Sequence, residues 1–229
     1  MSCQSIDRTE IKLKSRSLLR GNWPICVGVT LIYFLAVFLV DYIIGFLGLL
    51  GMILSILITP ALVLSLLSFF VNSIKRRFFA FEHMKINFNM YIKILLFLLL
   101  VSISFIPYIA LLTVFFITSY PLSFILTIVS ICFCVYVSLA FFAVPFIIIE
   151  TNGENSVIDS MKECYNLTKG YVLNLLIFTL SFLGWQILCI FSFGIGFFWL
   201  IPYMYVAEYL YYKKLQNIKF SEVDFVKTE

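Results

Sequence analysis

The sixteen Lys and Arg residues of this 229-residue chain fall into four clusters, separated by long stretches that are almost free of charge. The clusters are Arg8 to Arg20, Lys75 to Lys93, Lys162 with Lys169, and Lys213 to Lys227. The stretches between them, 22–74, 94–149 and 171–212, hold only Asp41 and Glu208 as charged residues. A helix crossing a hydrocarbon core needs about 20 apolar residues, so each stretch is too long for one crossing and suits two. Three hairpins of two helices then return every basic cluster to the same side. By the positive-inside rule that side is the cytoplasm.

Composition agrees with a bilayer as solvent. The chain is 62% hydrophobic and 12% charged, about half the charged fraction of an ordinary soluble domain. The net charge of +4 does not point to nucleic acid, because the basic residues sit where they set topology and meet anionic headgroups. About 20 polar and charged residues precede the first apolar segment. That segment runs past the length of a signal-peptide core and shows no small-residue cleavage site, so it reads as an uncleaved anchor. The six cysteines (Cys3, Cys26, Cys132, Cys134, Cys164 and Cys189) are scattered. Cys132 and Cys134 point to different faces of one helix, which makes them a poor metal or redox pair.

The expected architecture is all-α, a polytopic membrane protein of six helices in three hairpins with short cytoplasmic amphipathic helices. Residues 1–22 form the amphipathic N-terminal segment. Residues 23–212 form the membrane domain, with helices at about 23–40, 48–72, 91–117, 122–149, 171–191 and 195–212. Residues 213–229 form a polar cytoplasmic tail, expected to fray. Asp7 can cap the first short helix and Gly21 can end it. Trp23 marks the interface and Pro24 suits the first turn that follows. Asp41 to Gly48 and Ser119-Tyr120-Pro121 read as external turns, and 78–90 as an aromatic segment lying on the headgroups. Residues 156–169 are the cleanest amphipathic helix: Ser156 and Asp159 form its start, Ile158, Met161, Tyr165 and Thr168 share a face, and Gly170 ends it.

Ionisable groups inside a membrane helix are functional candidates because lipid burial of charge is costly. Glu208 lies five residues before Lys213 and reads as an interfacial anchor that reaches headgroups or pairs with a basic side chain, ahead of the alternative of a proton or substrate site. Asp41 reads as a solvated charge in an external turn, ahead of the alternative of a cation-binding group. Glu150, at the inner end of the fourth helix, reads as solvated. The single histidine, His83, has no metal-ligand spacing around it, and no nucleophile with a base is recognisable. No enzyme activity, cofactor or metal is therefore expected. Gly48, Gly51, Gly194 and Gly196 read as sites of close helix approach. Pro60, Pro145 and Pro202 recur once in each even-numbered helix, where a membrane bundle tolerates them.

Ser181-Phe182-Leu183-Gly184-Trp185, Gly194-Ile195-Gly196, Trp199-Leu200-Ile201-Pro202-Tyr203 and Tyr211-Tyr212-Lys213-Lys214-Leu215 resemble the C-terminal signature of the bacterial membrane family domain of unknown function 975. Leu19-Arg20-Gly21-Asn22-Trp23 is similar to its N-terminal signature, and the run from Ser160-Met161 to Lys169-Gly170 to the segment before its fifth helix. The resemblance implies a six-helix protein of the bacterial cytoplasmic membrane and supplies no activity. The leading expectation is a non-enzymatic protein acting through lipid or protein partners, in envelope homeostasis or in immunity to a membrane-active peptide. In that reading Ile158, Met161 and Tyr165 form the contact surface. The alternatives are the membrane subunit of a multicomponent exporter, whose partner would be a separate ATPase, and a stand-alone transporter of small solutes.

Overall fold

A computed structural model describes residues 7–118 and 121–227. The described residues contain helices and no strands. In chain order the helices are α1 (Arg8–Leu19), α2 (Trp23–Gly45), α3 (Gly48–Arg76), α4 (Phe88–Thr118), α5 (Pro121–Ala140), α6 (Val144–Glu150), α7 (Val157–Thr168), α8 (Val172–Leu180), α9 (Leu183–Phe191) and α10 (Phe197–Lys227). A 3-10 turn, Phe81–Met84, lies between α3 and α4. Among these residues five helical stretches are long and apolar enough to cross a membrane: Trp23–Gly45, Ile53–Arg76, Phe88–Ala110, Ile125–Glu150 and Val172–Phe191. The helix expected at 195–212 is the first part of α10. Its tyrosines and Glu208 make it less apolar than the other five.

Local signals explain the starts and stops. Asp7 caps α1 by accepting from the Thr9 and Glu10 backbone N–H groups. A basic residue and then glycine end both twelve-residue amphipathic helices: Arg20-Gly21 after α1 and Lys169-Gly170 after α7. Gly21 has φ +88° and Gly170 φ +90°, a conformation that costs glycine least. α1 and α7 thus share one ending device, whereas the segment between α3 and α4 holds only the 3-10 turn.

Several expected boundaries shift. Asp41 lies inside α2, which runs on to Gly45, and is not in a turn. The fourth expected helix is divided into α5 and α6. Pro145 lacks the N–H that would bond back to Phe141, and the chain instead tightens so that Val144 N–H donates to Phe141 O at 3.2 Å. The Ala140 carbonyl freed at this break is taken by α7: Cys164 Sγ lies 3.2 Å from it and Thr168 Oγ1 3.0 Å. A neighbouring helix thus repairs the proline break, as a low-dielectric setting requires. The fifth expected helix is also divided, at Ser181 and Phe182. The polar tail is helical as far as Lys227, because Leu215 and Ile218 are buried in the core. The expected turn at Ser119 and Tyr120, and Cys3, lie outside the described residues.

The core is concentrated toward one end of the bundle. Leu64 to Val71, Ala143 to Ile149 and the buried face of α10 from Leu200 to Ile218 supply most of it. α10 packs against α1, α2, α3, α7 and α9, so it is the central element. Its buried tyrosines (Tyr203, Tyr209, Tyr211 and Tyr212) face protein. At the other end α2 and α3 pass close together: a Cβ on Gly51 would lie 2.1 Å from the Ile44 carbonyl oxygen, so only glycine fits. Gly48 takes φ +56° in the turn before it. Gly196 has Cys189 Sγ 2.6 Å from where its Cβ would stand, and Gly194 turns at φ +85°.

Candidate functional site: a polar node where helices meet

Tyr209, Tyr212 and Lys213 stand at i, i+3 and i+4 on α10, which puts their side chains on one face. That face meets the last residue of α6, Glu150. The Tyr209 hydroxyl donates to its carboxylate at 2.6 Å and the Tyr212 hydroxyl at 3.0 Å. Lys213 Nζ lies 2.6 Å from the carboxylate, and Lys75 Nζ, at the end of α3, 3.8 Å away. One turn before Glu150, Phe146 stacks on Tyr212 with ring centroids 6.1 Å apart. Lys213 also lies over the Tyr209 and Tyr212 rings and donates to Gln216 Oε1 at 3.0 Å.

The Glu150 side chain is only 12% exposed, which corrects the expectation that it is solvated. Two ammonium groups and two phenols surround one carboxylate, so the node is satisfied and carries a net positive charge. With its oxygens engaged, the carboxylate is held as a clamp between α3, α6 and α10. The node was hidden from sequence reading because Glu150 lies 59 to 75 residues from each of its partners.

Glu208 stays outside this node. Five residues along a helix turn a side chain away from its neighbour, whereas three or four bring it back. Lys213 therefore reaches Glu150, and half-buried Glu208 has no hydrogen bond or ion pair among the described residues. Asp41 is exposed and far along α2 from the node. Glu10 on α1 pairs with Lys214 at 3.4 Å, an exposed contact that ties α1 to α10.

α7 lies beside the node and is amphipathic in an unexpected sense. Its buried face is Val157, Ser160, Cys164, Leu167 and Thr168. Ile158 is 58% exposed, Tyr165 is exposed and Met161 is half-buried. The stripe Ile158, Met161, Tyr165 thus points largely outward, while Thr168, assigned to the same face, turns inward to Ala140. Ser156 occupies the N-cap position without making a side-chain cap bond. Glu163, on the same helix, has its acidity weakened, first by burial and then by the Glu150 charge.

The segment after α3 is folded in, not laid flat. Phe79 and His83 are buried, while Phe78, Phe81 and Phe88 remain exposed. His83 Nδ1 lies 3.1 Å from Ser73 Oγ, and its carbonyl accepts from Asn72 Nδ2 at 3.2 Å. Burial, and then the nearby Arg76 charge, hold this imidazole below its ordinary value. The Lys93 ammonium contacts the Gly153 carbonyl, binding the α6–α7 turn to the start of α4. Among the described residues no group of three or more His, Cys, Asp or Glu side chains comes together in a metal-holding arrangement.

No curated protein and no solved structure matches the chain. Residues 1–219 match the family described as "Protein of unknown function (DUF975)". With nearly the whole chain matched, this protein belongs to that family.

Proposed function

We propose that the chain crosses the cell membrane six times as three hairpins and acts without catalysis, by presenting α7 on the cytoplasmic face to a partner. The observation that carries this reading is the Lys75–Glu150–Lys213 cluster. Three points along the chain, each after an apolar excursion, meet within ion-pair distance. The ends of all three excursions therefore lie together, and the Glu10–Lys214 pair ties the segment before the first excursion to the same end. If α8 and α9 cross, the first part of α10 must cross back. Its low hydropathy fits a central helix, because its tyrosines pack on other helices and need not meet lipid. Basic residues gather at this end, which supports its cytoplasmic orientation.

The α7 stripe supports action through a partner. Ile158 and Tyr165 are apolar or amphipathic and exposed beside the charged residues Asp159 and Lys162, a composition suited to a protein groove or the headgroup layer. The test is purification of tagged protein from its own membranes in mild detergent, as wild type and as the Ile158→Asp, Met161→Asp double variant. The expected result is a stoichiometric component that the variant loses while remaining inserted and monodisperse. A lost component that is an ATPase would make the chain an exporter subunit. Identical co-purifying components in both preparations would contradict the role given to α7.

A further inference from the structure

The chain has three tryptophans, and all three, Trp23, Trp185 and Trp199, line one open groove of about 880 Å³. Helical spacing on α1 explains its other wall. Ile11, Ser15 and Leu19 are buried against the bundle. Leu13, Arg16, Ser17 and Arg20 recur at i, i+3, i+4 and i+7 on the opposite side, and all four line the groove. α1 therefore has a packed face and a second, basic and apolar face turned toward α9 and the start of α10.

The charge of that face is uncompensated. Among the described residues the ion-paired carboxylates are Glu10, held by Lys214, and Glu150, held by Lys75 and Lys213. Neither Arg16 nor Arg20 has such a partner. Arg16 is instead held over the Tyr203 ring, 5.5 Å from its centroid, which fixes the guanidinium at the groove edge. Tyr203 is 7% exposed, and its buried hydroxyl has no hydrogen-bond partner among the described residues. Away from the arginines the lining is indole, leucine and small side chains, with Trp185 and Trp199 each about half exposed.

We propose that this groove binds an anionic phospholipid, with the phosphate on Arg16 and Arg20 and an acyl chain along the three indoles. Guanidinium groups take phosphate oxygens in pairs and remain charged at any working pH. Indoles favour the border between chain and headgroup. The volume lies in the range of built ligand pockets, about 300–1,000 Å³. A free phosphate would leave the apolar body of the groove empty, so the source is the lipid. A zwitterionic headgroup would leave the two arginines without net compensation. The proposal rests on the membrane reading above and is independent of α7.

The chain itself supplies the probe. Because every tryptophan lines the groove, its whole indole emission reports occupancy there. The delipidated protein in detergent is titrated with phosphatidylglycerol carrying brominated chains, and separately with phosphatidylcholine carrying the same chains. Saturable quenching is expected at an anionic-lipid concentration on the order of tenfold below that needed for the zwitterionic lipid. Arg16→Gln with Arg20→Gln should erase the preference and leave phosphatidylcholine quenching unchanged. Arg16→Lys with Arg20→Lys should keep part of it. Equal quenching by both lipids in the wild type would overturn the proposal, as annular contact alone, whether or not the Gln variant folds. Release of the brominated lipid by soluble glycerol phosphate at matching concentration would overturn the lipid source. Either failure leaves the six-crossing reading standing, because that is decided by the side from which each loop is labelled.

Discussion

The two ends of this bundle are held together differently. Around Glu150, helices α3, α6, α7 and α10 bury whole side chains, satisfy a carboxylate with four partners and capture the carbonyl freed by Pro145. Toward the opposite end, Leu31 to Phe46 of α2, Leu50 to Leu57 of α3 and Ile103 to Ile109 of α4 present many exposed apolar side chains. In water such a surface would aggregate. In a bilayer the lipid covers it, and association there relies on close backbone approach, as at Gly51 and Ile44. The protein is built as a packed base carrying exposed apolar helices of a kind suited to lipid, so a substitution should be judged by the end it touches.

Core truncation at the packed end gives the sharpest test of that contrast. Phe178 is fully buried, 4.7 Å from Tyr211 and 5.3 Å from Phe182 between ring centroids. Phe178→Ala should cost about 3–5 kcal/mol, read as a large fall in thermal midpoint of the detergent-purified protein. Next in size is Glu150→Ala, which strands two buried phenols and two lysines. Both lysines are more than a third exposed, so their share is small, and the loss should be about 1–3 kcal/mol. At the exposed apolar end Gly51→Val should be the exception, costing about 1–3 kcal/mol because Ile44 must move.

A pH effect comes from the same packed end. His83 is held below its ordinary 6.5 by burial, so the fold favours the neutral ring. Its contribution is present above 6.5 and is lost as pH falls below that toward the folded value. Thermal midpoints should therefore decline from pH 6.5 downward, and His83→Gln should flatten the decline. Smallest of all is Phe193→Ala: this ring is 97% exposed, and its loss should stay within about 0.5 kcal/mol. A large effect at Phe193 would break the comparison.

Signals that act within a turn were readable from residues alone. Asp7, Gly21 and Gly170 sit where their chemistry placed them, and the alternation of basic clusters with apolar stretches anticipated the long helices. What escaped depends on groups distant in sequence. Pro145 could be seen as a break, but Ala140 becomes an acceptor for α7 only once the bundle forms. Ile158 and Val157 are both apolar, so periodicity could not decide which of two adjacent stripes on α7 would be buried. Glu208 and Glu150 looked alike as carboxylates near a helix end. A difference of one residue in phase on α10 gave Lys213 to Glu150. Leu215 and Ile218 were too sparse among polar neighbours to mark the tail as helical.

The central claim is that three apolar excursions return to one side. It is tested most directly by placing single cysteines in a cysteine-free variant at Phe46, Phe193, Glu154 and Lys219, and labelling intact cells with a membrane-impermeant maleimide. The account predicts labelling at 46 and 193, and protection at 154 and 219 until the membrane is opened. Labelling of 154 and 219 from opposite sides would mean an odd number of crossings between them and would contradict the account.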